Sequence, residues 1–305
     1  MSFLIVKIKG GIGNQLFQYA FAKYLEKNSH QLIKLDYSSC VGCSDITCEN
    51  RLKYFNISVD EVTQSEMKDV CLSKHNAPLL TRKYKIQTLC ELLFNKSYYF
   101  EKQKNRQFID YSSLGKKRYF DGYWQSWKYV YEVRDELNKD LVFNNEISQL
   151  TKQTIFKIQK EEAVFIGIRR GDYVSSKKAR KRYGSFSKEY YVSAMKYVSD
   201  IVRNPVFYIF SNDIDWCKKN LDFNGFNVVY REPHLQTSDL EELLIMSSCK
   251  HAIIVNSTFH WWGAFLIKNP NKIVVAPNEW FCDGTKIDIV PNEWVRMNRN
   301  GEPTK

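Results

Sequence analysis

"AVFIGIRRGDYV", residues 163–174, begins with an unbroken apolar run of the kind that parallel sheets bury on both faces, long enough for a strand and too short for a helix. Two arginines, a glycine and an aspartate follow at once, so the chain leaves the core abruptly. Toward the C-terminus, "SKEYYVSAMKYVSDI" (187–201), "NDIDWCKKNL" (212–221), "DLEELLIMSSC" (239–249) and "STFHWWGAFLI" (257–267) read as helices. They alternate with the strand-like runs "PVFYIFS" (205–211), "FNVVYR" (226–231), "HAIIVN" (251–256) and "KIVVAP" (272–277). Such alternation predicts a doubly wound parallel sheet. Ligands of these sheets sit beyond the carboxyl ends of the strands, which puts Arg169, Ser211, Asn256 and Pro277 on the ligand-facing rim.

The N-terminal half opens with the same grammar. "FLIVKI" (3–8) is a strand, "GGIG" a turn, "NQLFQYAFAKYLEKN" a helix and "QLIKLD" (31–36) a second strand, making a β-α-β unit with a right-handed crossover. Gly11, Gly13 and Asp36 also fit part of a dinucleotide-binding fingerprint, so a nicotinamide-dependent oxidoreductase is an alternative. Leu16 stands where its third glycine belongs, which weakens it. From residue 37 to 120 the periodicity is poor, apart from "LTRKYKIQTLCELLF" (80–94), which reads as a helix.

A chain of 305 residues predicts two domains, divided here as 1–155 and 156–305. Its formal charge of +11 points to an anionic partner. Basic runs with aromatics, "RKYKIQ", "KKRYFDGYW" and "KKARKRYG", keep a nucleic-acid binder open as a further alternative; otherwise they read as solvated segments or as a peripheral footing on an acidic membrane face. Cys40, Cys43 and Cys48 lack the further ligands of a zinc site, so the eight cysteines read as reduced thiols. With no secretory leader and no apolar run of about 18 residues, a soluble cytoplasmic protein is expected, placed at most peripherally on the inner face of a bacterial membrane.

The chemistry gathers at the strand ends. Asn256, Ser257 and Thr258 open a helix, where backbone amides and hydroxyls can cradle a phosphate, and Arg169 offers a guanidinium fork on the same rim. Together they read as a diphosphate clamp. Asp213 and Asp215 have a spacing that could hold a divalent metal, but they open a helix directly after a strand, where capping is the favoured role. No metal site is expected.

"GGIGNQLFQYAFAKYL", "YFDGYWQSWKYV", "IRRGDYV", "FYIFSNDIDWCKKNL", "DLEELLIMSSCKHAIIVNSTFHWWGAF" and "KIVVAPNEWF" together resemble, in order and over nearly the whole chain, the successive motifs of the bacterial α-1,2-fucosyltransferases of glycosyltransferase family 11. The resemblance implies an α/β, GT-B-like fold of two Rossmann-type lobes facing a cleft. It implies a GDP-fucose donor held by the C-terminal lobe, a galactose-terminated and possibly lipid-linked oligosaccharide on the N-terminal lobe, inversion at fucose, and no cofactor, metal or nucleic acid. Donor contacts are then expected from Asn14, Gln15, Arg169, Ser211, Asn256, Ser257 and Thr258, and acceptor contacts from Tyr123, Trp124 and Gln125. Arg169 and Asp172 are the expected catalytic pair, one stabilising the leaving diphosphate and the other the first choice for general base, with an ion pair of Asp172 to Arg169 or Arg170 as the equal alternative.

Two positions depart from the family pattern. Where its strand reads His-x-Arg-Arg-x-Asp, this chain has Gly167, and Trp127 stands where an acidic residue is common. Alternation along a strand puts Arg169 on the face of Gly167 and Arg170 on the other. Arg169 is therefore expected to meet phosphate, Arg170 to pair with an acidic neighbour, and the space over Gly167 to admit a ligand or a long side chain.

Overall fold

The computed structural model describes residues 3–40, 49–72, 81–102, 104–170, 176–231 and 238–304. The chain forms two compact units, one of Met1–Asn145 with Thr285–Ile289, the other of Glu146–Gly284 with Val290–Lys305.

The first unit contains β1 (Phe3–Lys7), β2 (Leu32–Asp36), β3 (Tyr98–Phe100), the two-residue β4 (Asn105–Arg106) and β5 (Tyr119–Asp121). Four of these make a parallel sheet in the order β2-β1-β5-β3, with Val6 opposite both Leu35 and Phe120. The helix Ile12–Ser29 starts at the glycine turn, where Gly10 has a φ of 76°, and ends on His30 in the left-handed region. Its residues from Leu16 to Leu25 are buried almost without interruption, because the helix is covered on more than its sheet side. Phe21 stacks on Trp124 at 3.9 Å, and Tyr24 and Tyr129 complete an aromatic layer.

The second unit contains β6 (Ala163–Ile168), β7 (Val206–Ser211), β8 (Asn227–Tyr230), β9 (His251–Ile253) and β10 (Val274–Pro277). Beyond them, β11 (Lys286–Ile287) returns to pair with β4 in the first unit, and β12 (Val295–Met297) completes the second sheet. That sheet is parallel, ordered β12-β10-β9-β6-β7-β8, with β6 near its middle and every residue of β6 buried. All the helices and strands read from residues 163–277 are present.

The division falls at 145/146, ahead of the Gln149–Gln159 helix that a boundary at 155/156 would cut. That helix belongs with the second unit: the backbone N–H of its N-cap, Ser148, donates to the Glu241 carboxylate at 2.5 Å.

Candidate active site

In the second unit the carboxyl ends of β6 and β7, the start of the helix Asp239–Ser247 and the start of the helix Thr258–Leu266 enclose a concavity of about 170 Å³. Arg169, Ser211, Asn212, Arg231, Asp239, Glu242 and His260 supply its polar lining, with Ile168, Phe210 and Phe259 as apolar wall. Arg231 is buried and donates to the Glu242 carboxylate at 3.1 Å, so one guanidinium is neutralised within the site. Arg169 stands exposed at the rim.

Arg170 takes the opposite course. Its guanidinium lies 3.4 Å over the Trp216 ring and donates to Asp213 at 3.3 Å, while its backbone N–H donates to Asn212. Asp213 also accepts from the Trp216 backbone N–H at 3.2 Å, which makes it the N-cap of the helix Ile214–Asn220. It thus takes the capping role that its place after a strand suggests.

The rim residues divide into those that face the concavity and those that build it. Ser211 lines it and accepts from the Asp213 backbone N–H. Asn256 is 2% exposed, and its side-chain NH2 donates to the carbonyls of Tyr183 and Trp280. Its NH2 thus ties the end of the helix Lys177–Tyr183 to the Trp280 segment beneath the rim. Ser257 is the N-cap of Thr258–Leu266, yet its side chain accepts no cap hydrogen bond, unlike Ser176, Ser187 and Ser238 at neighbouring helices. The helix start is therefore left to be satisfied by other groups, the condition under which it serves an anion. Asp172 lies outside the described residues.

The residue that the sequence reading missed is His260. A Cβ built on Gly167 would lie 2.3 Å from His260 Nδ1 and 2.4 Å from its Cγ, so the imidazole rests directly on the glycine. The expected long side chain over Gly167 comes from the helix, not from a ligand. His260 is 5% exposed, its Nδ1 is buried without a hydrogen-bond partner, and it borders the concavity. Burial and then the neighbouring Arg169 push its pKa down to about 3, which keeps the ring neutral at working pH. Its one sequence signal was histidine on a helix start beside a strand lacking one.

A second cluster sits in the first unit around the end of β5. Gln15 is fully buried; its amide donates to the carbonyls of Gly10 and Glu49 and accepts from the Arg51 backbone N–H, each bond 2.7 to 2.8 Å. This pins the glycine turn to the 49–51 segment and occupies the group expected at the donor. Asn14 is half-buried and accepts from Gln125 at 2.8 Å, and Gln125 in turn accepts from Arg106 at 3.3 Å. Trp124, expected at the acceptor, is 1% exposed in the aromatic layer. It adopts a φ of 53°, held by the Glu101 carboxylate, which accepts from the backbone N–H groups of Tyr123 and Trp124. A left-handed tryptophan costs on the order of 1–3 kcal/mol, and such strain persists where the surroundings over-determine it. Its effect is to turn the half-buried Tyr123 toward Lys9 and Arg106, whose cationic groups lie 4.9 and 4.8 Å from its ring. Trp127 begins the helix Trp127–Glu132, where its N–H donates to the Asp288 carbonyl.

Gln15→Leu should therefore act on stability. Three lost hydrogen bonds at roughly 1 kcal/mol each give about 3 kcal/mol, seen as a fall of several degrees in Tm. Asn14→Ala should leave Tm within a few degrees, as expected for about 1 kcal/mol, while activity per folded molecule drops. Melting curves and initial rates on the same preparations separate the two residues.

The chain matches the model of glycosyl transferase family 11 over residues 3–298. The chain belongs to this family. An alpha-1,2-colitosyltransferase of Escherichia coli is 31% identical to this family-11 chain, over 98% of it and 100% of that protein. The O-antigen biosynthesis glycosyltransferase WbnK of E. coli is 30% identical, over 95% and 99%. Galactoside alpha-(1,2)-fucosyltransferase 1 of Oryctolagus cuniculus is 24% identical over 48% of this chain and 41% of that one. Among solved structures, NodZ alpha-1,6-fucosyltransferase soaked with GDP-fucose superposes with a TM-score of 0.50 at 13% identity, covering 90% of this chain and 94% of that one. At that identity the likeness is one of fold: a GT-B-like α/β protein with a Rossmann-like parallel sheet in each unit. The family-11 chain is a glycosyltransferase, which displaces the oxidoreductase and nucleic-acid readings of its glycines and its charge.

Proposed function

We propose that this family-11 chain transfers L-fucose from GDP-β-L-fucose, with inversion, to the 2-hydroxyl of a terminal galactose in a glycan of the O-antigen type. The concavity of the second unit carries the reading. It combines an exposed arginine, a helix start without its own side-chain cap, and the carboxylates of Asp239 and Glu242 within about 170 Å³. An inverting transfer builds negative charge on the departing diphosphate, and a guanidinium fork with directed N–H donors stabilises charge that develops there. The carboxylates supply acceptors for the N–H edge of a nucleobase or for ribose hydroxyls. Asp172 is the proposed general base, the half-buried Tyr123 of the first unit the proposed acceptor-side contact, and the half-buried Asn14 a proposed donor contact.

The activity is proposed to need no metal, since Asp213 is engaged as a helix cap and as the partner of Arg170. The relative named as a colitosyltransferase favours a second donor, because colitose is fucose without its 3-hydroxyl. A site that hydrogen-bonds that hydroxyl rejects the deoxy sugar strongly, whereas one that leaves it in water barely discriminates. Initial rates with GDP-fucose and GDP-colitose, on galactose-terminated acceptors in excess EDTA, test all of this together. Preference for GDP-fucose with EDTA-resistant turnover is expected. Turnover with GDP-colitose alone would move the reading to colitose, and activity that only Mg²⁺ or Mn²⁺ restores would refute metal independence.

A further inference from the structure

The helix Arg82–Phe94 of the first unit is packed inside out. The side chains it turns inward are polar: Tyr84 donates to the buried Asp121 at 3.1 Å, Thr88 and Glu91 are buried, and Glu91 and the Val70 carbonyl accept from Asn95 just past the helix end. Tyr84, Thr88, Glu91 and Asn95 follow one another at three- and four-residue steps, so they form one face. The opposite face carries Ile86, Leu89 and Leu93 at the same steps, exposed by 53%, 54% and 64%, with Leu92 and Phe94 beside them. A helix lying on a water-facing surface has the reverse arrangement. Half of the exposed large hydrophobics among the described residues lie on this one helix, so they form a patch and not the usual scatter.

Charge says what covers it. At about 100° per residue, Lys83 and Lys85 fall on the two flanks of the Ile86–Leu89–Leu93 stripe; Arg82 precedes it, Lys96 follows it, and all four are exposed. Glu91, the helix's single acid, is buried on the inner face. An apolar stripe bordered by cations matches the boundary between lipid headgroups and acyl chains. A second copy of this chain would instead bring lysine flanks against lysine flanks.

We propose that the Arg82–Phe94 helix docks in the plane of an anionic bilayer surface, its Ile86–Leu89–Leu93 stripe below the headgroups and Lys83 and Lys85 on lipid phosphates. The inference stands independently of which sugar is transferred. No helix among the described residues is long and apolar enough to cross a membrane, and this one lies along the surface.

Sedimentation of the full chain with vesicles tests it. One set is phosphatidylcholine alone, and in the other about a third of the lipid is phosphatidylglycerol, which should add roughly fivefold in partitioning per lysine engaged. The wild type should sediment with the anionic set, be released at high salt, and stay in solution with the neutral set. Leu89→Glu/Leu93→Glu should lower the partition coefficient at least about tenfold, and Lys83→Glu/Lys85→Glu should remove the preference for anionic lipid. Both pairs are exposed, so melting temperatures should hold. No binding by the wild type, or equal binding by Leu89→Glu/Leu93→Glu, would overturn the proposal. So would a concentration-dependent dimer that Leu89→Glu/Leu93→Glu abolishes without any vesicle binding, which would make the face an interface between copies.

Discussion

Arg169→Lys is expected to lower kcat by on the order of a hundredfold or more, whereas Arg170→Lys lowers it only mildly. The two arginines are adjacent in sequence and opposite in circumstance. Arg169 is exposed on the rim of the concavity, beside the neutral imidazole of His260. Lysine there keeps the charge but loses the planar two-donor fork that matches a diphosphate. If Arg169 meets the diphosphate as proposed, the loss should fall on kcat, since such a contact strengthens as the leaving group gains charge. Arg170 is already stacked on Trp216 and paired with Asp213, so its lysine variant should show a lower Tm from the lost stacking, on the order of 1 kcal/mol. Steady-state kinetics and melting curves of both variants decide the matter. Equal losses of kcat would remove the asymmetry.

The second large effect concerns Gly167 and His260. Gly167→His should nearly abolish transfer, because even its Cβ would lie 2.3 Å from His260 Nδ1, and the ring is held in a helix start whose next residues, Trp261 and Trp262, are fully buried. Overpacking of this kind typically costs about 1–3 kcal/mol and displaces whatever lies nearest. His260→Ala alone should leave an opening beside Arg169 and weaken GDP binding. Combining the two should restore part of both properties, since an imidazole carried by the strand can then occupy the vacated space. Calorimetric GDP affinity and Tm across the four proteins should give a favourable coupling of roughly 1–3 kcal/mol between the sites. Strict additivity would show that the contact between ring and glycine is incidental.

That contact also shows where sequence reading succeeded and where it stopped. The apolar run 163–168 and the alternation after it carry the second sheet unambiguously, because buried parallel strands are continuous in hydrophobicity and the helices between them are long enough to show their period. The strands Tyr98–Phe100 and Tyr119–Asp121 span three residues each, too few for any period, although they form half of the first unit's sheet. Direction was legible where the strand's alternation set it: Arg170 pairs with an acidic neighbour, Asp213, and Arg169 stands exposed at the rim. Side-chain roles were not legible where an amide could turn either way: Gln15 bonds backbone groups with both ends of its amide, and Asn256 places its NH2 on two backbone carbonyls. Trp124, expected at the acceptor, is buried in the aromatic layer, and nothing in the sequence announces a left-handed tryptophan.

The return of residues 285–289 to the first unit has a bearing on how the protein is made. Because β11 pairs with β4, the N-terminal unit is sealed by a segment that leaves the ribosome after almost all of the C-terminal one. Domains usually fold as they emerge, N-terminal first. Here the earlier-synthesised unit must wait for a late strand, and the Asp288 carboxylate that accepts from the Phe108 backbone N–H arrives with it. A chimera meant to exchange the whole first unit between family members must therefore transplant two pieces of chain, with a cut on each side of the 285–289 segment.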